Sequence, residues 1–158
     1  YQAMVHKVEI NASVDSVFTF LGNSDNASKW SVFVHHIVPL NGDLIKDGQV
    51  GSTRRCFCNA NEQGRMWDEM ITEVIPNQKR QLTIYNMKDF SMEAGHLATE
   101  QKYKSIGMDK CQLTFTVFFK DHQPSLWELT KTYLAAYIIQ DIFEQNMNNI
   151  KRIIETGA

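Results

Sequence analysis

The hydrophobic pattern of this chain changes its period once, near residue 125, and this change constrains the fold more than any other feature. Between residues 34 and 120 apolar residues mostly alternate with polar ones, which is typical of strands with one buried face. After residue 125 apolar residues recur at spacings of three and four, which indicates a helix. Many strands followed by one long helix predict an α+β fold in which a sheet packs against that helix.

Short breaks rich in turn-forming residues divide the alternating region into six strands. Residues 5–10 alternate in the same way and add a seventh strand at the start of the chain. Because the connections are short, consecutive strands are predicted to be antiparallel neighbours. The six later strands are predicted at 34–40, 49–58, 65–75, 80–87, 96–105 and 111–120.

Two short helices are predicted between the first strand and the second. Ser13 precedes an apolar stripe at helical spacing, so it can cap the first helix, and Gly22 with Asn23 can end that helix. The second helix is predicted to begin near Ser24 or Asp25 and to end near Trp30.

The long C-terminal helix is predicted to begin at a capping box made by Ser125 and Glu128. Gly157 is placed to end it, which makes the helix about 30 residues long, or about 45 Å at 1.5 Å per residue. Between Tyr133 and Phe143 only two residues are strongly polar. A helix that is apolar nearly all round is expected to be covered on more than one side, by the sheet and by loops, the short helices or a ligand.

Length and composition exclude several classes of protein. The 158 residues, 43% of them hydrophobic, suit a single domain over residues 4–157 with its own core, and Tyr1–Ala3 are interpreted as a cloning remnant. The net charge is −2 and no basic stripe is visible, so nucleic-acid binding is not expected. No apolar run approaches about 18 residues and no signal-peptide pattern opens the chain. A cytoplasmic protein without stable membrane insertion is therefore expected.

The residues that most often carry chemistry form no recognisable site. Cys56, Cys58 and Cys111 lack the spacing of zinc ligands and are interpreted as reduced thiols. His35 and His36 are adjacent, so on a strand they would point to opposite faces, and one of them could face the interior. Nothing in the sequence indicates a metal, a cofactor, a nucleophilic triad or a phosphate-binding loop.

The order of elements and several short motifs resemble the START-like, or SRPBCC, superfamily, and within it the polyketide cyclase/dehydrase-like proteins. The opening VEINASVDSVFTFLGNSDNASKW is similar to the family's first strand, its A-x-x-x-x-V-F helix and the Trp that ends its second short helix. Gly51 to Arg54 matches a G-x-x-R strand, GRMWDEMITEVIP resembles a G…E-x-(I/V) strand, and residues 81–85 resemble an (R/L)-x-x-Y strand. The resemblance covers about residues 5–156.

This resemblance implies a helix-grip fold, in which a seven-stranded antiparallel sheet wraps around the C-terminal helix and a deep cavity lies between them. Members bind lipids, sterols, polyketides or other apolar molecules. The chain is therefore expected to be a carrier or sensor of a small hydrophobic molecule, either monomeric or homodimeric. Two alternatives stay open: a polyketide cyclase or dehydratase that uses the same cavity, and a protein–protein adaptor in which the cavity is vestigial. An enzyme further needs a titratable group in the cavity, and the sequence offers few.

Aromatic residues and one ion pair are the candidate ligand contacts. If the strands 49–58 and 65–75 pair residues whose numbers sum to 123, Arg54 stands opposite Glu69 on an inward face. The two would then be paired, since an unpaired inward charge is expensive. The candidate ligand-binding residues are Trp30, Phe33, Arg54, Trp67, Glu69, Tyr85, Phe115, Tyr133, Tyr137 and Phe143.

Two roles stay open for the ion pair and two for one loop. Arg54 and Glu69 form either a fixed internal pair or a ligand anchor, in which Arg54 donates to a ligand oxygen and Glu69 orients it or acts as a base. No catalytic residue is assigned, and Arg54 and Glu69 are the candidates named for that role. The loop 88–95 carries apolar residues among polar ones, and it is expected either to fold back on the core or to form a lid over the cavity.

Overall fold

The computed structural model describes residues 2–90, 97–119, 123 and 125–157. Within these ranges the chain forms seven strands, two short helical segments and one long helix. The strands are β1 Gln2–Ile10, β2 His36–Pro39, β3 Thr53–Phe57, β4 Met66–Ile75, β5 Lys79–Lys88, β6 Leu97–Gly107 and β7 Lys110–Phe119. The helices are α1 Val14–Gly22, α2 Ala27–Trp30 and α3 Leu126–Thr156, with a 3-10 turn at Ser24–Asn26.

All seven strands belong to one antiparallel sheet with the order β1-β7-β6-β5-β4-β3-β2. Each strand from β2 to β6 pairs with the next one along the chain, as the short connections predict, and β1 completes the sheet beside β7. Since α1, α2 and α3 pack on one face of this sheet, the predicted α+β helix-grip fold is confirmed.

Two strands are shorter than the alternation predicts. The strand expected at 49–58 begins only at Thr53, because Gly48 and Gly51 have φ angles of 85° and 88°, which no strand accommodates. The strand expected at 34–40 begins only at His36. Residues 41–52 therefore form a folded loop, which matters below because it carries Asp47 to the ion pair.

The helical segments after β1 begin where side chains satisfy free backbone N–H groups. The Ser13 hydroxyl accepts from the N–H of Ser16 at 3.2 Å, and the Asn23 side chain accepts from the N–H of Asp25 at 3.0 Å. The apolar stripe of α1 buries Val17 and Leu21 against the sheet. This packing places the end of α1 and the whole of α2 at one side of the cavity.

The C-terminal half of α3 is held to the rest of the molecule. Met147 and Ile150 are buried in the main core, and the Lys151 ammonium donates to the backbone oxygen of Glu9 at 2.7 Å. The helix begins with the predicted capping box and ends at Gly157, whose φ of 71° is left-handed. Both predicted ends of this helix are thus confirmed.

The expectation that the apolar middle of α3 is covered on more than one side is wrong. The side chains of α3 that are buried all lie at or beyond residue 146. The large apolar residues of the first half that are more than half exposed are Leu126, Trp127, Tyr133, Leu134, Tyr137 and Ile138.

No helix in the described ranges has both the length and the hydropathy that a membrane span requires.

Candidate functional site

A cavity of about 110 Å³ lies between the inner face of the sheet, the short helical segments and the C-terminal half of α3. Alternate residues of the strands point into it, so that Trp67 and Glu69 of β4 line it together. Most of the wall is apolar. The apolar lining residues are Leu21, Ala27, Trp30, Phe33, Val34, Ile37, Trp67, Leu82, Ile84, Phe115, Phe143, Met147 and Ile150.

The polar part of the wall is small and mostly buried. Its members come from the turn after α1, from the end of α2, from three strands and from α3. They are Asn23, Ser24, Ser31, Arg54, Cys56, Glu69, Thr99, Gln101 and Asn146. An apolar cavity with a few fixed polar groups is the usual form of a small-molecule site.

Arg54 and Glu69 stand opposite each other in the register of β3 and β4, as predicted. The Arg54 Nε donates to Glu69 Oε1 at 2.5 Å, and the two residues are only 8% and 6% exposed. The second carboxylate oxygen of Glu69 accepts from the indole N–H of Trp67 at 3.2 Å. Both oxygens of this buried carboxylate therefore already have a donor.

A hydroxyl links the same arginine to a second carboxylate. Arg54 Nη1 donates to the Ser24 hydroxyl at 2.9 Å, and that hydroxyl donates to Asp47 Oδ2 at 2.5 Å. Burial lowers the pKa of Arg54, but the attraction and hydrogen bond of Glu69 together with the attraction of Cys56 and Asp47 outweigh burial, and the pKa lies above its ordinary value. The guanidinium is thus a fixed cation at the cavity wall.

A second buried arginine holds another polar lining residue. Arg80 is 4% exposed, stacks over the Phe18 ring at 4.3 Å and donates from Nη1 to the Tyr103 hydroxyl at 2.9 Å. Tyr103 in turn donates to Gln101 Oε1 at 2.5 Å. Burial lowers the pKa of Arg80 and raises that of Tyr103, so the phenol keeps its proton.

Most of the aromatic residues predicted to bind a ligand do line the cavity, but the tyrosines do not. Tyr85 is 41% exposed and pairs with Asp68 on the outer face, because Leu82 and Ile84 are the inward residues of β5. Tyr133 and Tyr137 are 53% and 70% exposed on the first half of α3. The candidates that line the cavity are Trp30, Phe33, Arg54, Trp67, Glu69, Phe115 and Phe143.

Three buried polar lining residues are absent from the predicted ligand contacts, which are mostly aromatic. They are Thr99, Gln101 and Asn146. Thr99 and Gln101 share a face of β6 with Tyr103, and alternation alone would have found them. Asn146 follows Phe143 by one helical turn and precedes Ile150 by another. The alternation along β6 and the helical spacing along α3 thus indicate that these side chains face inward, although their polar character does not.

The adjacent histidines do not behave as predicted. His35 precedes β2, so strand alternation does not separate the two rings, and their Nδ1 atoms lie 2.9 Å apart. His36 Nε2 lies 3.0 Å from Glu62 Oε1, and neither histidine lines the cavity. Among the described residues, no three His, Cys, Asp or Glu side chains are grouped so that they could hold a metal.

The cysteines were expected to be reduced thiols, and the loop 88–95 was expected to fold back on the core or to form a lid. Cys56, Cys58 and Cys111 are all free thiols, and burial raises the pKa of Cys56, so its thiol at the cavity wall is protonated. Phe90 packs edge-on against Trp67 with ring centroids 6.0 Å apart. Residues 91–96 of the loop, and with them the predicted lid, lie outside the described residues.

Solved structures share this fold. The Zhui aromatase/cyclase from Streptomyces sp. R1128 has a TM-score of 0.70 at 13% identity, with 98% of this chain and 96% of that chain covered. Norcoclaurine synthase from Thalictrum flavum, in complex with dopamine and hydroxybenzaldehyde, has a TM-score of 0.64 at 14% identity, with 96% and 84% covered. The Aha1 dimer from Colwellia psychrerythraea has a TM-score of 0.62 at 17% identity, with 98% and 96% covered. At such identities the likeness shows the fold alone.

Sequence comparison adds the family. A search of curated protein sequences gives no match. The sequence model of one family, described as polyketide cyclase / dehydrase and lipid transport, matches residues 2–155. Because this match spans nearly the whole chain, and the structure has the fold and the cavity that the resemblance implies, the chain belongs to the polyketide cyclase / dehydrase and lipid transport family.

Proposed function

We propose that this protein binds a small hydrophobic molecule in the cavity between the sheet and α3 and acts as its carrier or sensor. The observation that carries the proposal is the cavity itself, which is walled by aromatic and aliphatic side chains and has a fixed polar end at Arg54 and Glu69. Its volume of about 110 Å³ suits a molecule of one or two rings in this conformation. Cavities of roughly this size bind benzene-sized ligands.

The geometry supports binding more than catalysis. A general base needs a carboxylate that is free to take a proton, but both oxygens of Glu69 already accept hydrogen bonds. A nucleophile needs a thiolate, but the Cys56 thiol is buried and its pKa is raised. A cyclase or dehydratase would therefore have to break the ion pair before it could use Glu69.

Tryptophan fluorescence gives a direct test of this function. Trp30 and Trp67 line the cavity, whereas Trp127 is 66% exposed on α3. In a Trp127→Phe variant, titration with indane should change the emission with a dissociation constant between micromolar and submillimolar, or about −5 to −8 kcal/mol. Excitation at the red edge of the tryptophan band avoids absorption by indane.

The control is the complementary variant, Trp30→Phe with Trp67→Phe, in which only the exposed Trp127 reports. Its emission should stay constant while indane still raises the melting temperature, because bound ligand stabilises the folded state. If indane changes neither the emission of the first variant nor the melting temperature of the unsubstituted protein, the cavity does not bind such molecules and the proposal is wrong.

A further inference from the structure

The amide of Gln101 has only one orientation that its neighbours allow. One end of this amide faces both the Tyr103 hydroxyl at 2.5 Å and Arg80 Nη1 at 3.4 Å. A guanidinium can only donate hydrogen bonds, so the atom that faces it must be the amide oxygen. The NH2 group of Gln101 is therefore at the opposite end of the amide, away from Tyr103 and Arg80, and no described residue accepts a hydrogen bond from it.

The same argument applies to Asn146 on the opposite wall. The backbone N–H of Val32 donates to Asn146 Oδ1 at 2.9 Å, and a backbone N–H cannot accept. Asn146 is only 5% exposed and lines the cavity, so we infer that its NH2 group faces the cavity. No described residue accepts from this group either.

Two further polar residues of the wall are also donors. The Ser31 oxygen accepts from the N–H groups of Phe33 at 3.2 Å and Val34 at 3.3 Å, which leaves the hydroxyl proton to donate. Arg54 donates from Nε and Nη1 to Glu69 and Ser24, and its Nη2 has no acceptor among the described residues. All four residues therefore offer N–H or O–H groups.

Acceptors on this wall are largely occupied. The Glu69 oxygens accept from Arg54 and Trp67, and the Ser24 oxygen accepts from Arg54. Among the buried polar lining residues, the Thr99 hydroxyl is left with lone pairs that no described residue uses. The wall thus offers several donors and few acceptors.

We propose that the cavity selects ring-sized ligands that carry an acceptor oxygen, such as a ketone, aldehyde or carboxylate, and rejects those whose polar atom is an N–H. The proposal rests on the function proposed above and names the ligand class. A carbonyl oxygen gains hydrogen bonds from Gln101, Asn146, Ser31 or Arg54. Among the buried polar lining residues, a ligand N–H would find a free acceptor only in the Thr99 hydroxyl and would otherwise lose its bonds to water, which is costly for a buried group.

The structure also assigns a positioning role to Tyr103. Its oxygen accepts from Arg80, so its own proton points to the Gln101 oxygen and holds the amide with its NH2 group free. Tyr103 does not line the cavity, and it acts on the ligand through Gln101. Selectivity for acceptor oxygens should therefore depend on the phenol hydroxyl.

Three bicyclic molecules of nearly equal size test the ligand class by calorimetric titration. Indane has no polar atom, 1-indanone has an acceptor oxygen, and indole has an N–H donor. Indanone should bind about tenfold more tightly than indane, which corresponds to about one net hydrogen bond, and indole should bind least tightly. If none of the three binds, the proposed function is wrong. If indane or indole binds as tightly as indanone, the cavity binds rings but the donor-rich wall does not select them.

Substitutions then locate the selectivity. Gln101→Met and Asn146→Leu nearly keep the volume and remove a donor group, so each should reduce the preference for indanone over indane by a few fold. The preference is the ratio of the two affinities measured on the same variant, so a change that weakens both ligands equally does not alter it. Tyr103→Phe should reduce the preference as well, although Gln101 is still present. If all three variants keep the full preference, these residues do not contribute to selection.

Discussion

Arg54 and Glu69 are buried side chains of opposite charge, with Nε and Oε1 2.5 Å apart. Each residue also has a hydrogen bond outside the pair. Arg54 donates to the Ser24 hydroxyl, and Glu69 accepts from the indole N–H of Trp67. Removal of one partner leaves the other charge buried without compensation, and this is why buried pairs are sensitive to single substitutions.

Glu69→Gln and Arg54→Met should each lower the free energy of unfolding by about 3–5 kcal/mol. The double variant should lose much less than the two losses added together, because the second substitution removes an already unpaired group. Urea unfolding of the four proteins measures this. Lys110 and Glu9 provide the control: they form an exposed pair at 3.1 Å, and Lys110→Met should cost only about 0–1 kcal/mol. Losses at 54 and 69 that add within about 0.5 kcal/mol would show that the two residues do not interact.

Asp68 on the outer face should make the stability depend on pH. Arg55 donates to its carboxylate at 2.7 and 3.0 Å and Asn86 at 2.7 Å. Burial alone raises the pKa of Asp68, but these hydrogen bonds outweigh it and the pKa lies below the ordinary value of 3.8. The unfolded chain therefore takes up the proton first as the pH falls, so the stabilisation is complete above the ordinary pKa and is lost below it.

The measurement compares urea unfolding of the unsubstituted protein with that of Asp68→Asn from neutral pH to below pH 3. The unsubstituted protein should be the more stable at neutral pH, and the difference should shrink as the pH falls below about 4. A difference that stays constant with pH would mean that the carboxylate charge contributes nothing.

Single residues could be placed from the sequence where strand alternation and a short loop acted together. The pairing of Arg54 with Glu69 needed only the length of the loop between their strands and the inward face set by Trp67. Tyr85 was misplaced because its aromatic character was given more weight than alternation from Leu82, which puts it outside. Residue type is a weak guide to burial on a sheet whose outer face also carries aromatic rings.

At the scale of elements, α3 shows which properties of a helix are local. Its ends were predictable because a capping box at Ser125 and a left-handed Gly157 involve only neighbouring residues. Its coverage was not predictable, since that depends on how far the sheet and the short helices extend beneath it. Six large apolar residues of its first half are more than half exposed.

Two substitutions in α3 should distinguish its two halves. Phe143 is half-buried, lines the cavity and lies 5.3 Å from the ring of Phe115, so Phe143→Ala should cost about 2–4 kcal/mol. Tyr137 is 70% exposed, and Tyr137→Ala should cost less than about 1 kcal/mol. Urea unfolding of both variants gives the comparison. Equal losses would mean that the first half of the helix is as tightly packed as the second.

At the scale of the whole molecule, the cavity is what remains after the sheet, the short helices and α3 have packed. Its existence was expected from the family resemblance, and seven of the ten predicted ligand contacts line it. Its volume of about 110 Å³ could not be predicted, because it is a small difference between the space enclosed and the side chains that fill it. The same holds for its hydrogen-bonding character, which depends on which side of each amide is occupied.

Filling this space should separate stability from binding. Ala27 of α2 is 6% exposed and lines the cavity, and leucine has a helix propensity close to that of alanine. Ala27→Leu places a buried side chain where ligand would lie, and we expect a gain in stability of about 0.5–2 kcal/mol, as in other cavity-filling substitutions. The same side chain should abolish the binding of indane in calorimetric titration.

The matched control is Ala60→Leu, which adds the same side chain at an exposed loop position and should change neither stability nor binding. A protein whose function is to hold a ligand keeps an empty space at a cost in packing, so that gain in stability and loss of binding should appear together in Ala27→Leu and in no surface variant. If Ala27→Leu folds and still binds indane as tightly as the unsubstituted protein, the ligand lies elsewhere and this cavity is only a packing defect.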